Sequence, residues 1–212
     1  SHVDAWENYL TQAGEIGVFP TLQTKLVQLR FPIQEGISQT EFYREATRKG
    51  KLANNTAQAT GLQLKEPEKL ELIIHQSLAG SIPVIIAANR ADFVSLVQAI
   101  TMRNEPKEVP ASMGACMVGG YNNWDRIRQY RQKWQNKHPE STEADWSAEF
   151  KRLIPQKELY QDRFIILSQG NYSNVSATHV ELTEHKWQQI SLTIRLEHEC
   201  THYFTKRIFS SM

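Results

Sequence analysis

A chain of 212 residues, 40% hydrophobic and 22% charged, is long enough to bury a sizeable core and has the make-up of a globular protein rather than a disordered one. Its net charge of +1 gives no electrostatic reason to expect nucleic acid or anionic lipid as a partner. The longest wholly apolar run, Ile82 to Ala88 with Pro83 inside it, falls far short of the roughly 20 residues that a membrane-spanning helix needs.

In chain order, Ser1-His2 reads as the remnant of an affinity tag, and no basic region followed by an apolar one marks a signal peptide. The chain also lacks an initiator Met, so either end is open to extension. Val3 to Ala13 reads as a short helix. Thr24 to Phe31 reads as a strand that Pro32 ends, and Thr40 to Lys49 as a helix stopped by Gly50. Leu70 to His75 and Ile82 to Ala88 read as strands of a hairpin turned at Ala79-Gly80-Ser81. A helix is expected from about Asp92 to Met102. The small-residue stretch Gly114 to Gly120, "GACMVGG", lacks the Gly-Lys-Ser/Thr of a phosphate loop, so it reads as a tight turn or strand packing.

Asp125 is the expected N-cap of a helix running to about Asn136, with Arg126 to Lys137 forming a solvated amphipathic face. Thr142 to Leu153 reads as a further helix, and Arg163 to Ser168, "RFIILS", as a strand. The loop Gln169 to Ser176 follows, and Thr183 then caps a long helix that begins near Glu184. The pattern predicts an α/β (α+β) fold, a small mixed sheet with flanking helices and a long C-terminal motif helix. No Pro/Gly/Ser-rich linker divides the chain. Residues 1–212 therefore read as a single domain or as the N-terminal part of a longer protein. A subdivision into an α/β part (1–110) and a mainly helical part (111–212), the latter holding strand 163–168 and motif helix 184–209, is left open. Two cysteines, Cys116 and Cys200, do not make a disulfide framework, which points to a reducing, cytoplasmic setting.

The chemistry-bearing motif is His198-Glu199-Cys200-Thr201-His202, an H-E-x-x-H pattern. At about 100° per residue, His198 and His202 lie about 40° apart on one helix face, so both imidazoles can reach one ion about 2.0–2.1 Å from each nitrogen. Glu199 sits one step round, where its carboxylate can take a proton from water at the metal. Leu192, Leu196, Cys200, Tyr203 and Phe204 project mainly from the opposite side, giving the helix one side for the core and one for a polar cleft.

Here the sequence resembles the zincin metallopeptidases, whose H-E-x-x-H lies on an active-site helix behind a sheet with a substrate-holding edge strand. The resemblance covers "HECTH" and, loosely, the strand and loop before it. The wording "LEHECTHYFTKR" also resembles an uncharacterised bacterial family carrying the motif. The metzincin branch continues with Gly and His where this chain has Thr205 and Ile208, so the gluzincin branch is the nearer one. That branch takes a Glu from a following helix, yet "YFTKRIFSSM" after His202 holds no Asp, Glu or His. Its substrate-binding Asn-Ala pair is not reproduced, Asn174 with Ala177 being the nearest match. The resemblance implies Zn²⁺ as cofactor and a peptide or protein as substrate.

The third metal ligand is undetermined. His185 stands 13 residues before His198, about 20 Å along the helix, and cannot share the ion. His179 can fold back from the preceding loop, though a cap or solvent contact is the plainer role. His75 reads as a half-buried strand residue, His138 as a loop residue, and Cys200 as core. Tyr172 offers a phenol to polarise a substrate carbonyl.

Two readings follow. In the first the protein is a zinc-dependent hydrolase, most simply a peptidase, with His198 and His202 on the metal and Glu199 as general base. In the second it is a non-catalytic binding or structural protein whose motif helix is metal-free or incomplete. The motif helix shows no stop signal before Met212, so the native chain is expected to continue into a helix supplying the missing carboxylate. Neither reading fixes the oligomeric state.

Overall fold

"ELIIHQS" alternates in a way that sorts a strand's two faces, with Leu72 and Ile74 on one side and Ile73 and His75 on the other. In the computed structural model, which describes residues 2–51, 61–170 and 176–209 with side chains as far as Thr205, this segment is β1 (Glu71–Ser77). It pairs antiparallel with β2 (Gly80–Ala87) through the turn at Leu78 and Ala79. Beyond β2 lies β4 (Gln161–Ser168), parallel to it, and then β3 (Ala115–Asn122), antiparallel to β4. The sheet order is β1-β2-β4-β3, so strands on either side of residue 110 interleave in one sheet. The two central strands are buried on both faces, which is why they read as the nearly unbroken apolar runs "IPVIIA" and "FIILS".

Helices cover both faces. On one side Leu72, Ile85, Phe164 and Ile166 pack with residues of α1 (His2–Ile16), α2 (Val18–Lys25) and α4 (Arg90–Thr101), among them Trp6, Tyr9, Leu22, Phe93 and Leu96. On the other, Ile82, Val84, Ile86, Ile165 and Leu167 pack against Leu196, Cys200 and Tyr203 of α7 (Glu184–Phe209). A third cluster joins α3 (Glu41–Lys49), α5 (Trp124–Lys137) and α6 (Glu143–Leu153) through Tyr43, Trp124, Ile127 and Trp146. The result is the expected mixed α/β architecture, with the motif helix alone on one face among the described residues. No helix among them is long and apolar enough to cross a membrane.

Local signals explain most elements. Thr40 accepts from the Tyr43 N–H at the start of α3, and Gly50, at φ 67°, ends it in the left-handed conformation. Thr142 and Asp145 form a reciprocal capping box at α6. Two readings need correction. Thr24 to Phe31 is not a strand but the end of α2 and a 3-10 turn over Val27–Arg30. Leu26, Val27, Leu29 and Phe31 are all buried, and a short apolar run of that kind does not tell a strand from a packed turn.

The cap of α5 is Asn123, whose side chain accepts from the Asp125 and Arg126 N–H groups; Asp125 is instead turned inward to accept a 2.8 Å bond from the Tyr9 hydroxyl. Of the two readings of "GACMVGG", strand packing holds: from Ala115 on it is the body of β3, and its glycines have separate jobs. Gly120, at φ 128°, sits in a bulge that shifts the register between Gly119 and Tyr121. Gly114 serves close packing, described below. His2, read as tag, opens α1 and is held mostly out of water, and desolvation pulls its imidazole below the usual histidine range.

Candidate metal and catalytic site

Thr183 accepts from the Lys186 N–H at 3.3 Å, starting α7 where the sequence places it. The helix then runs 26 residues. Its sheet side is set by Leu196, Cys200 and Tyr203, all buried, with Leu192 partly buried. Phe204, expected on that side, is instead 39% exposed, because it lies well round the helix from Tyr203 and clear of the sheet. Burial pushes the Cys200 thiol up to about 11, helped by the negative charges of Glu197 and Glu199, as suits a core cysteine.

On the outward side His198 and His202 are exposed, and their Nε2 atoms lie 3.0 Å apart. Two nitrogens held about 2.0–2.1 Å from one tetrahedral ion sit about 3.3 Å apart, so the pair is close to the spacing a shared cation requires. Glu199, one step round, is 9% exposed. It lines an open cleft of about 290 Å³ together with Ser112, Met113, Gly114, Ala115, Arg195 and His198. No donor among the described residues bonds its carboxylate, which leaves both oxygens to whatever enters the cleft.

Arg195 lines the cleft, and Arg90 anchors the chain that leads to it. Arg195 donates from Nη1 to the Ser168 and Gly170 carbonyls at 3.0 and 2.9 Å. Its guanidinium lies over Gly114, where a Cβ would come within 2.6 Å of Nε; hence the glycine. Arg90 donates to the carbonyls of Val109 (3.2 Å), Pro110 (2.7 Å) and Met113, fastening the segment that leads into β3. β3 is an outer strand of the sheet. Gly114 faces β4, since its carbonyl accepts from the Ser168 N–H at 2.9 Å. The alternation of an antiparallel ladder therefore turns the N–H and C=O groups of Ala115 and Met117 toward the free edge beside the cleft.

Other candidate residues go elsewhere. His179 is exposed in a 3-10 turn, Ala177–Val180, and His185 is exposed in the first turn of α7. The His138 ring stacks on Trp134 at 4.9 Å, its Nδ1 2.9 Å from the Trp134 carbonyl. Among the described residues no third His, Cys, Asp or Glu gathers with His198 and His202. Tyr172 and Asn174 lie outside the described residues.

The place of His75 is the one least visible in local pattern: its Nε2 meets Glu197 Oε1 at 3.2 Å, on the flank of α7 turned away from the histidine pair. Arg195 was accessible to sequence reasoning, since it stands three and four residues before His198 and Glu199 and therefore shares their face. The contribution of residues 112–115 was not, because nothing local in "SMGA" announces a neighbour some 80 residues on.

No curated protein and no solved structure matches the chain. The profile of DUF7005, a family of unknown function, matches residues 1–212, and the chain therefore belongs to the DUF7005 family.

Proposed function

We propose that the protein is a metal-dependent hydrolase of the zincin type, acting on an extended peptide in a cytoplasmic setting. The observation that carries this reading is the convergence of the His198 and His202 Nε2 atoms, 3.0 Å apart, beside the Glu199 carboxylate in an open cleft. The donor set suits Zn²⁺, which when held by the two imidazoles supplies polarisation of a carbonyl and acidification of water. Glu199 accepts a proton from water and returns it to the leaving nitrogen, and the lack of donors to it among the described residues keeps the carboxylate available for that exchange. The outward N–H and C=O groups of Ala115 and Met117 suit an extended backbone laid along β3, and peptide as the substrate class rests on this edge and on the motif. Arg195 and Arg90 hold the edge in register with the helix.

A second reading, a non-catalytic binding protein, is favoured by the exposure of both imidazoles and by the absence of a third donor among the described residues. A neutral histidine pair can share one hydrogen bond at 3.0 Å with no metal between. Zinc titration with elemental analysis of the wild type against His202→Ala separates the two. One zinc equivalent bound by the wild type and lost in the variant supports the hydrolase. Equal content in both removes His202 from any metal site. If zinc binds, incubation with a peptide library read by mass spectrometry tests turnover, and cleavage by the wild type that persists in Glu199→Gln eliminates Glu199 as the base.

A further inference from the structure

The flank of α7 opposite the histidine pair carries a second set of donors. Glu197 and Cys200 are three residues apart, about 60° round the helix, and face β1. His75 shares the strand face of Ile73, which packs in the α7 core, so its imidazole reaches the same spot. One donor atom from each of His75, Glu197 and Cys200 lies within 4.8 Å of the other two, and the imidazole and carboxylate already stand 3.2 Å apart.

We propose that His75, Glu197 and Cys200 form a second cation site, selective for a divalent ion of the zinc class and independent of His198 and His202. The site is graded from core to solvent. Cys200 is 5% exposed and forms the floor, His75 is half-buried, and the Glu197 side chain, 58% exposed, is free to swing at the rim and leaves the ion a path in. Ligands about 2.0–2.3 Å from a tetrahedral ion lie about 3.3–3.8 Å apart, so the His75–Glu197 pair fits as it stands. Drawing the sulfur in from within 4.8 Å takes a side-chain shift of about 1 Å, which the rim glutamate and the imidazole can supply without moving the helix. Mg²⁺ and Ca²⁺ call for oxygen ligands throughout, whereas a sulfur, a ring nitrogen and one carboxylate match Zn²⁺ or Co²⁺.

The test is Co²⁺ titration of chelator-treated, phosphine-reduced protein, read in the near-ultraviolet, where thiolate-to-cobalt charge transfer absorbs. Sulfur is absent from the His198, His202 and Glu199 set, so this band reports the second site alone. The expected result is a saturable band in the wild type and in the His198→Ala/His202→Ala double variant, lost in Cys200→Ser and in His75→Ala. The His75 variant alters a half-exposed side chain and keeps the test sound if Cys200→Ser fails to fold. Co²⁺ binding with no thiolate band, no Co²⁺ binding at all, or a band that survives His75→Ala would overturn the proposal. A band lost only in the double histidine variant would place the thiolate in the motif site and overturn it equally.

Discussion

The two ends of β4 carry two polar centres built on opposite principles. At its start, Asp162 is fully buried and every oxygen is engaged. Oδ2 accepts from Trp6 Nε1 at 2.8 Å and Asn123 Nδ2 at 2.6 Å, and Oδ1 accepts from Arg126 Nη1 at 2.6 Å. That cluster ties α1 and α5 to the sheet and leaves nothing for a ligand. At the other end, beyond Ser168, Arg195 is spent on backbone carbonyls, but Glu199 and His198 line an open cleft, with His202 exposed beside His198 and no third protein ligand among the described residues. Buried polar groups are costly unless partnered. A centre that completes its own hydrogen bonds holds the fold together, and one that leaves them incomplete at a cleft is suited to something from outside.

The contrast can be broken by mutation. Asp162→Ala leaves the Trp6 N–H without its acceptor and strips Asn123 Nδ2 and the Arg126 guanidinium of their shortest bonds; it is expected to cost about 3–5 kcal/mol of stability, measured by urea unfolding. A loss below about 1 kcal/mol would mean that the network contributes little. Glu199→Gln should do the reverse, lowering hydrolytic turnover by about 10²–10⁴-fold while shifting stability by less than about 1 kcal/mol. A large destabilisation would show that the carboxylate belongs to the scaffold.

Gly114→Ala forces a methyl against the Arg195 guanidinium, which two carbonyls pin in place. It is expected to cost about 1–3 kcal/mol. Combining it with Arg195→Ala should be clearly less than additive, because removing the guanidinium removes the clash; strict additivity in the unfolding data would refute the contact. The smallest effect belongs to neither end. Thr142→Ala removes the α6 cap and should cost about 1 kcal/mol, leaving metal content and cleavage unchanged, which calibrates the other variants.

What the sequence determined by itself is local. Thr40 and Gly50, the Ala79-Gly80 turn, Thr142 with Asp145, and Thr183 each fix a boundary through a bond to a neighbour a few residues away, so the order of helices and strands is legible with few exceptions. The same holds for the shared face of His198 and His202, which the helical repeat places together whatever surrounds them.

Tertiary structure decided which groups meet across long separations. Strand periodicity sorts residues onto two faces but does not name a strand's neighbours, so nothing local shows that β3 becomes an outer strand or that Gly114 must be bare to admit Arg195. The pairing of His75 with Glu197, 122 residues apart, follows from β1 taking the opposite edge. Thr24 to Phe31 misled for the same reason: a run of buried apolar residues states that it is covered, and only the packing of α3 and α4 around it states in what conformation.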